Sequence, residues 1–460
     1  MFSRTAAQVP GPASVPAPAA FAAPSAYYAP GKPGFARLEL GLFAAGVATF
    51  AALYTTQPLL GLLSRYFDVP ASHAAWSISL ATLLLGAGML VAGPLSGRWG
   101  RTRLMKWSMF VTTVLGVLCA LAPNWPVLLI ARAAQGLALA GTPAVALVYL
   151  REEVHPSVHP RVTGLYIGGT AIGGMTGRLV VGCVADLAGW RWGIGAEAIL
   201  GGVCATIATL SLPPSRHAPQ RIQRIQRTRR VQRTDDAAAA TSSAVTPDRR
   251  RALRAALRLL ADRDLLCLCL LAATMMGAFV ALYNVLGLRL TTAPYHLSVF
   301  AASFVFCVYP IGTFSSTLAG RMAERHGRPP VVLAGCLISV AGVALTLATP
   351  LVLVIIGIGT VTFGFFAAHG VASGWAVAVG QRRGSASQAS ALYLLAYYLG
   401  SSVFGVLGTS LWTSAGWPAV AAMAVVLMLI GAATAARGCR QHANSTASPV
   451  DILNADLGDD

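Results

Sequence analysis

Four residues that can carry a charge lie inside long apolar stretches of this 460-residue sequence: Arg132, Arg178, Glu197 and His369. An ionisable side chain is costly in an apolar helix, so it usually faces a cavity, a partner or a ligand. Histidine also changes its charge near neutral pH. The chemistry that these residue types support is ion pairing, binding of a polar ligand, and proton exchange.

No constellation typical of an enzyme accompanies these four residues. Catalysis inside an apolar protein needs a nucleophile with its base, or a set of metal ligands. His369 has no neighbouring acid, the eight cysteines lack metal-ligand spacing, and there is no Gly-x-x-x-x-Gly-Lys phosphate loop. We therefore expect no catalytic residue, no metal and no cofactor, and we read the cysteines as free thiols.

Three of the four residues are expected at a similar depth. At a helical rise of about 1.5 Å per residue, Arg132, Arg178 and Glu197 lie ~9, ~12 and ~9 Å from the nearer end of their predicted helices. We hypothesise that Glu197 or Asp186 neutralises one arginine and leaves the other to bind a ligand or exchange protons. The alternatives stay open: Arg132 satisfied by backbone carbonyls, Glu197 purely structural, and His369 buried, neutral and hydrogen-bonded.

The composition indicates the elements that hold these residues. Hydrophobic residues make up 55% of the chain and charged residues 11%, whereas soluble domains carry about 25% charged residues. A membrane-spanning helix needs about 20 apolar residues. Twelve stretches of suitable length occur, here called spans 1 to 12, at about 40–62, 73–96, 105–122, 127–149, 162–185, 192–212, 265–287, 297–319, 331–348, 351–378, 388–411 and 417–436.

The distribution of positive charge predicts the orientation. With the N-terminus placed inside, 29 of the 34 Lys and Arg residues fall on the inner side and 3 on the outer side. Positive residues accumulate in cytoplasmic loops. The net charge of +18 is thus topological and does not indicate nucleic-acid binding. We expect a multi-pass protein of a bacterial inner membrane with both termini in the cytoplasm.

The chain is predicted to divide into five regions. Residues 1–37 form a disordered, Pro/Ala-rich tail, because such a composition cannot bury enough apolar surface to fold. A first six-helix bundle covers 38–212 and a second covers 264–438. Between them, 213–263 is a basic cytoplasmic linker that ends in a helix on the membrane surface. Residues 439–460 form a cytoplasmic tail.

A repeated loop relates the two bundles, since both copies follow the second span of a bundle and lie 227 residues apart. The glycines allow a sharp turn, and the arginines can bind carboxylates or helix C-termini of neighbouring spans. The first copy contains Gly93, Arg98, Gly100 and Arg101, and the second contains Gly320, Arg325, Gly327 and Arg328.

This duplicated loop resembles the signature of the major facilitator superfamily, and the resemblance covers about residues 38–438. In that family an acidic residue at the fifth position of the loop belongs to a latch that closes the inside gate. The second copy keeps it as Glu324, whereas the first copy has Gly97. The resemblance thus does not decide whether the first copy forms a latch, or whether Glu152 or Glu153 takes over the role of the missing acid.

Spans 4 and 5 add to the resemblance. Arg132, Gln135 and Gly136 are similar to the Arg-x-x-Gln-Gly motif of the superfamily, whose arginine is associated with proton transfer in proton-coupled members. Span 5 resembles the glycine-rich motif of the antiporters, although Arg178 replaces its last glycine and Gly174 its proline. High glycine density allows close helix packing, and the packing glycines are predicted to be Gly169, Gly173, Gly174 and Gly177.

Spans 1, 5 and 11 together resemble the acriflavine-sensitivity, arabinose-efflux-permease-like branch of the superfamily. Span 1 contributes Tyr54-Thr-Thr-Gln57-Pro58, and span 11 contributes a segment that includes Tyr397. Cavity-lining spans in this family also carry Asn284 and His369 here. The resemblance implies a substrate and proton pathway formed by Gln57, Arg132, Gln135, Arg178, Asn284, His369 and Tyr397.

The implied fold is an all-α membrane protein with twelve transmembrane helices in two pseudo-symmetric six-helix bundles. The implied function is secondary active transport by alternating access, as proton-coupled export of a small organic compound. Uptake by proton symport is the alternative, and a receptor without transport is a weaker one. The expected partners are a small-molecule substrate, protons and the lipid bilayer, with no nucleic acid, and the protein is expected to be a monomer.

Overall fold

The structure is a computed structural model that describes residues 27–215, 262–383 and 386–446, with side chains up to residue 438. Most of the predicted N-terminal tail, nearly all of the basic linker with its surface helix, and the end of the C-terminal tail lie outside the described residues. The described residues contain the predicted spans and the short loops that connect them.

The described residues are helical, and the one β-type contact among them is an isolated bridge between Tyr28 and Val154. Short 3-10 turns cover Gln57–Leu59, Pro156–Val158 and Phe304–Val308. The α-helices are Phe35–Leu53, Leu60–Tyr66, Ala71–Ala74, Trp76–Trp99, Arg101–Ala120, Trp125–Leu139, Pro143–Glu153, His159–Ala188, Trp190–Ser211, Arg263–Thr291, Val299–Ser303, Tyr309–His326, Arg328–Leu345, Leu351–Arg382 and Ala386–Thr446.

These helices form eleven apolar segments long enough to cross a membrane within the described ranges. The last segment, Ala386–Gly438, is 53 residues long and changes direction at Gly416, where φ is 69° and ψ is −164°. A positive φ is accessible to glycine because it has no Cβ. Gly416 divides this segment into spans 11 and 12, and the predicted all-α fold class is confirmed.

Four of the described spans contain an interruption; the one in span 2 is a single residue, Ala75, and the other three lie beside a proline. Proline lacks a backbone N–H and cannot continue a helix from the preceding turn. Span 1 is interrupted before Pro58, span 4 before Pro143, and span 8 before Pro310. Irregular backbone at membrane depth needs polar partners inside the protein, and the interruption in span 1 meets the buried charged residues.

The spans alternate between two ends of the molecule. We call the end that carries Phe35, Gly100 and Gly327 the termini face, and the opposite end the distal face. On the termini face, Arg37 donates to the carbonyl of Leu210 at 3.3 Å, which joins the start of span 1 to the end of span 6. The distal face carries the turns after the odd-numbered spans.

Glycines in span 5 determine how closely it packs on span 1. A Cβ placed on Gly169, Gly173 or Gly177 would collide with the backbone of span 1, near Phe43, Val47 and Ala51 respectively. The four-residue spacing places these three glycines on one face of the helix. Gly174 lies on a different face, where a Cβ would meet the side chains of Arg178 and Tyr309. Gly174 is therefore not part of the contact with span 1, and its role as a packing glycine stays a prediction.

The two halves of the molecule touch at the distal face and in the middle of the spans. The hydrogen bonds that join the halves, among the described residues, are Asp186 Oδ1 with the amide of Val299 at 3.2 Å, Gln57 with Asn284 at 2.7 Å, and Ser402 with Thr82 and the Ser79 carbonyl at 2.9 and 2.8 Å. The distal face is therefore closed.

Candidate functional site

Arg132 lies against the interrupted end of the first helix, and its side chain is 1% exposed. Its Nε donates to the Ser77 carbonyl at 2.9 Å, and its Nη2 donates to the Leu53 carbonyl at 2.6 Å. Its Nη1 donates to the Ala52 carbonyl at 3.0 Å and to Gln135 Oε1 at 2.5 Å. Every nitrogen of this guanidinium therefore has a partner.

These contacts explain why an arginine is tolerated at this position. The last carbonyls of a helix lack intrahelical partners and carry partial negative charge. Arg132 satisfies two of them at the end of Phe35–Leu53, and Gln135 extends the network by donating to the Thr112 carbonyl at 3.1 Å. The geometry agrees with the alternative in which backbone carbonyls satisfy Arg132.

Glu197 is the acid buried deep in the first half, with 1% of its side chain exposed. Its Oε2 accepts a hydrogen bond from the Thr55 hydroxyl at 3.0 Å, and its Oε1 has no hydrogen-bond partner. Glu197 forms no ion pair with either buried arginine, and Asp186 instead accepts from a backbone amide across the halves. The expected direct neutralisation of an arginine is absent from the described residues.

A narrow cavity passes beside this acid. It is enclosed by spans 1, 3, 4 and 6, and its polar lining includes Thr49, Thr112, Gln135, Thr142 and Glu197. Polar groups that line a cavity can hold a water and exchange protons with it. The cavity therefore places the Glu197 carboxyl group beside a small space with polar lining inside the first half.

Arg178 lies on span 5 where the two halves meet, and it is also 1% exposed. Its Nε donates to Gln57 Oε1 at 2.6 Å, and its Nη1 donates to the carbonyl of Gly174 one turn earlier. Its Nη2 has no hydrogen-bond partner. Arg178 thus differs from Arg132 in keeping one unsatisfied donor.

Three aromatic rings surround the Arg178 guanidinium. Its Cζ lies 4.4 Å from the ring centroid of Tyr54, and 4.8 Å from those of Phe306 and Tyr309. An aromatic face attracts a cation. The Tyr309 hydroxyl lies close enough to the guanidinium to interact with it through charge and as a weak hydrogen-bond partner, although no acceptor has hydrogen-bond geometry at Nη2. Because Phe306 and Tyr309 belong to span 8, this aromatic cage spans both halves.

Gln57 connects the cage to the second half. Its carbonyl oxygen accepts from Arg178, and its amide donates to Asn284 Oδ1 at 2.7 Å. Asn284 is fully buried and donates to the Gly405 carbonyl at 3.5 Å. Three of the residues predicted for the pathway, Gln57, Arg178 and Asn284, are therefore in direct contact in series.

Aromatic side chains continue from the cage into the second half. The ring of Tyr309 lies 6.1 Å from that of Phe279, which stacks on Phe365 at 4.1 Å. The His369 ring follows at 5.8 Å from Phe365 and 4.6 Å from Tyr397. Two further predicted residues, His369 and Tyr397, thus lie at the end of this series of rings, inside the second half.

His369 is partly buried and bonded through its ring. Its Nδ1 is 3.0 Å from the Tyr393 hydroxyl, and the two rings are 5.7 Å apart. No acidic residue forms an ion pair with it within the described ranges. These contacts are those of the hydrogen-bonded alternative for His369.

The two copies of the repeated loop differ in their contacts. Gly100 and Gly327 both adopt positive φ, at 91° and 83°, so both loops need glycine there. Arg101 forms a bidentate ion pair with Glu152, at 2.5 and 2.7 Å, and also donates to Ser96 Oγ. The first copy therefore pairs with an acid that follows span 4, inside its own half.

The second copy has no equivalent ion pair among the described residues. Glu324, Arg325 and Arg328 lie on or beside the termini face, and none of them forms a salt bridge. A Cβ on Gly93 or Gly320 would meet no atom within 4 Å, so these two glycines are not sites of close helix approach. Arg98 is exposed.

Sequence reasoning missed the cage around Arg178 and left Glu197 outside the predicted pathway. Tyr54 belongs to the motif of span 1, but nothing in its spacing indicated that its ring covers a guanidinium. Phe306 and Tyr309 come from the second half of the chain. The available signal was the interruption before Pro310, which turns both rings of span 8 toward the interface.

A family model described as Major Facilitator Superfamily matches residues 42–318. An uncharacterized MFS-type transporter of Bacillus subtilis, YybF, is 37% identical over 404 residues, which cover 87% of this chain and 93% of that protein. The inner membrane transport protein YnfM of Escherichia coli is 36% identical over 435 residues, which cover 93% of this chain and 98% of that protein.

Solved structures show the same fold at low identity. A bacterial homolog of the human lysosomal transporter Spinster, in an inward-facing and unoccupied conformation, aligns with a TM-score of 0.69 and 16% identity, covering 91% of this chain and 99% of that one. A D-xylose-proton symporter aligns with a TM-score of 0.62 and 17% identity, covering 86% and 96%. The buried polar interface therefore lies in a multi-pass membrane transporter and not in an enzyme, and the chain belongs to the Major Facilitator Superfamily.

Proposed function

We propose that this transporter exports a small organic compound in exchange for protons, and that it works as a monomer in a bacterial inner membrane with both termini in the cytoplasm. The observation that carries the proton coupling is the environment of Glu197. The carboxyl group is buried, one oxygen has no partner, and no ion pair must break when it binds a proton. A buried carboxyl in such a position is suited to reversible protonation.

The interrupted part of span 1 provides a physical link from Glu197 to the substrate region. Glu197 bonds the hydroxyl of Thr55, while the adjacent Tyr54 covers Arg178. Gln57, two residues further on, accepts from Arg178. A change in the Thr55 contact on protonation would therefore move residues that touch the interface between the halves.

The proposed direction of transport rests on span 5 and on the closed distal face. The glycine-rich span 5 resembles that of antiporters, and Gly169, Gly173 and Gly177 pack it tightly on span 1. Spans 1, 5 and 11 resemble the acriflavine-sensitivity, arabinose-efflux-permease-like branch. The closed distal face leaves the termini face, which positive charge places in the cytoplasm, as the side from which the exporter loads its substrate.

The test uses proteoliposomes that enclose a pH-sensitive dye and carry an imposed pH gradient. Acriflavine, arabinose and a panel of amphiphilic compounds are added in turn to the wild-type protein, Glu197→Gln and Asp68→Asn. The second variant is the matched control, because it makes the same acid-to-amide change at an exposed acid in the turn after span 1. We expect substrate-dependent proton movement in the wild type and in Asp68→Asn, and its loss in Glu197→Gln.

Three results would contradict parts of the proposal. Unchanged proton movement in Glu197→Gln would remove this residue from the coupling. Protons that move in the same direction as the substrate would show symport and reverse the proposed direction. Binding of a compound without any flux in the wild type would favour a receptor.

A further inference from the structure

The charges buried around the interruption of span 1 do not balance. Arg132, Arg178 and Glu197 are each 1% exposed there. A further buried acid of this half, Glu153, lies at the end of span 4 and accepts a hydrogen bond from Ser215. Glu197 interacts electrostatically with Arg132 and bonds Thr55, on the side of span 1 away from the second half. Arg178 is left without an acidic partner among the described residues.

An unbalanced buried cation is costly unless something compensates it. Removing a charged group from water costs free energy, and a charged donor without a hydrogen-bond acceptor adds to that cost. Arg178 has partial compensation from one amide oxygen, one carbonyl and three rings. Its Nη2 keeps an unmade hydrogen bond.

We infer that Arg178 binds the negatively charged group of an organic anion, and that the transported compound is a carboxylate with an aromatic or other apolar body. The inference rests on the proposal that this interface is the transport site. Nη2 of Arg178 supplies the donor for the carboxylate, and the Tyr309 hydroxyl lies beside the same guanidinium as a second donor.

The surroundings of the guanidinium favour an anion over a cation. The faces of Tyr54, Phe306 and Tyr309, which would otherwise attract a cationic ligand, already contact Arg178. A second positive charge within a few ångströms would be repelled in this low-dielectric interior. A carboxylate instead completes the hydrogen bonding of Arg178 and balances its charge.

The position of Gly174 supports the same assignment. It is one turn before Arg178, and a Cβ there would lie 3.2 Å from Nη1 and 3.9 Å from the Tyr309 ring. Glycine therefore keeps a methyl group out of the position beside the guanidinium and the tyrosine. The buried rings of Phe279 and Phe365 continue from this point into the second half, where the partly buried Tyr397 offers apolar surface for the body of the ligand.

The test compares probes of the same shape and different charge. The full-length protein in lipid nanodiscs is titrated with benzoate, benzamide and benzamidine, and with the corresponding carboxylate, amide and amidine of naphthalene. Affinity is measured by isothermal titration calorimetry. We expect the carboxylates to bind at least ~10-fold more tightly than the matched amides, as a charge-assisted hydrogen bond predicts, and the amidines to bind least.

Three variants assign the effect to its residue. Arg178→Gln should weaken carboxylate binding by about 10- to 100-fold and leave amide binding nearly unchanged, whereas Arg178→Lys should keep part of the preference for carboxylates. Tyr309→Phe removes only a hydroxyl group and should weaken carboxylate binding a few-fold. Size-exclusion profiles confirm that each variant is folded.

The result can overturn this inference without affecting the proposed proton coupling. Carboxylate binding is measured without a pH gradient, so it is independent of the proton flux that tests Glu197. Asp68→Asn, an exposed acid in the turn after span 1, should bind the carboxylates like the wild type. Equal or tighter binding of the amidines, no binding of either carboxylate, or carboxylate binding that survives Arg178→Gln would each reject the anion site.

Discussion

Arg132 and Arg178 have the same burial and lie in the same half, but their surroundings differ in kind. Arg132 is surrounded by backbone carbonyls and Gln135, and all its nitrogens donate. Arg178 is surrounded by rings, and one nitrogen does not donate. The first arginine completes the interrupted end of a helix, whereas the second one is incomplete until a ligand arrives.

This difference shows that burial of an arginine within a span does not by itself define its role. Both residues satisfy the general expectation that a buried charge must face a partner or a cavity. The number of donors left over separates a residue that holds the fold together from one that is available for recognition. Variants at the two arginines, at their neighbours and in the repeated loops test this distinction.

Replacing the two arginines should have unequal consequences for stability. Arg132→Met leaves the carbonyls of Leu53, Ala52 and Ser77 without this donor, so the free energy of unfolding should fall by about 3 kcal/mol or more. Arg178→Met removes an uncompensated charge while keeping much of the side-chain volume, and it should cost less than about 1 kcal/mol. Thermal unfolding in detergent measures both, and equal losses would abolish the comparison.

The two adjacent glycines of span 5 provide a matched pair. Gly173→Ala should destabilise the protein by about 1–3 kcal/mol, because its Cβ overpacks the span 1 backbone. Gly174→Ala meets the flexible end of Arg178 instead and should change stability by less than about 0.5 kcal/mol. It should nevertheless weaken carboxylate binding, since the methyl group occupies the space beside the guanidinium. Thermal unfolding and calorimetry measure the two effects, and similar behaviour of both variants would contradict this assignment.

The contact between Gln57 and Asn284 should behave as a coupled pair. Gln57→Ala, Asn284→Ala and the double variant form a cycle whose coupling free energy in thermal unfolding is expected to be about 1 kcal/mol. Gln57→Ala should also weaken carboxylate binding by removing the acceptor that orients Arg178. Additive effects of the two single variants would show that the contact does not join the halves energetically.

The smallest effect is expected in the repeated loops. Arg101→Gln breaks the ion pair with Glu152, in which the two side chains are 14% and 19% exposed. The free energy of unfolding should fall by roughly 0.5–1 kcal/mol. Arg328→Gln, at the equivalent position of the second copy, should be within about 0.3 kcal/mol of the wild type. Raising the salt concentration should reduce the difference, and a difference that does not respond to salt would exclude the ion pair as its origin.

Hydropathy and charge were sufficient for the architecture. The apolar stretch at 40–62 and its counterparts predicted the spans, because a membrane requires long apolar helices with satisfied backbone groups. The helices extend beyond several predicted ends. Tyr309–His326 runs past residue 319, and Leu351–Arg382 past residue 378, since a helix continues into the polar boundary after its apolar part ends.

The site was predictable only as a set of residues, not as a set of contacts. The partners of Arg132 depend on the interruption at Tyr54–Thr56, which lies inside an apolar stretch that gives no sign of a break other than Pro58. Two of the rings around Arg178 come from span 8, and the third ring comes from span 1, all more than 100 residues away along the chain. Contacts of that kind follow from how the halves pack and are not encoded in local periodicity.

The hydroxyl contacts of Ser402 with Thr82 and the Ser79 carbonyl have an energetic consequence for opening. Water can replace a hydroxyl contact at nearly the same enthalpy, so separating the halves there exchanges one set of hydrogen bonds for another. The open and closed conformations can therefore differ by only a few kcal/mol, the range in which ligand binding redistributes two populations. An interface of interlocked leucines would instead fix the protein in one conformation.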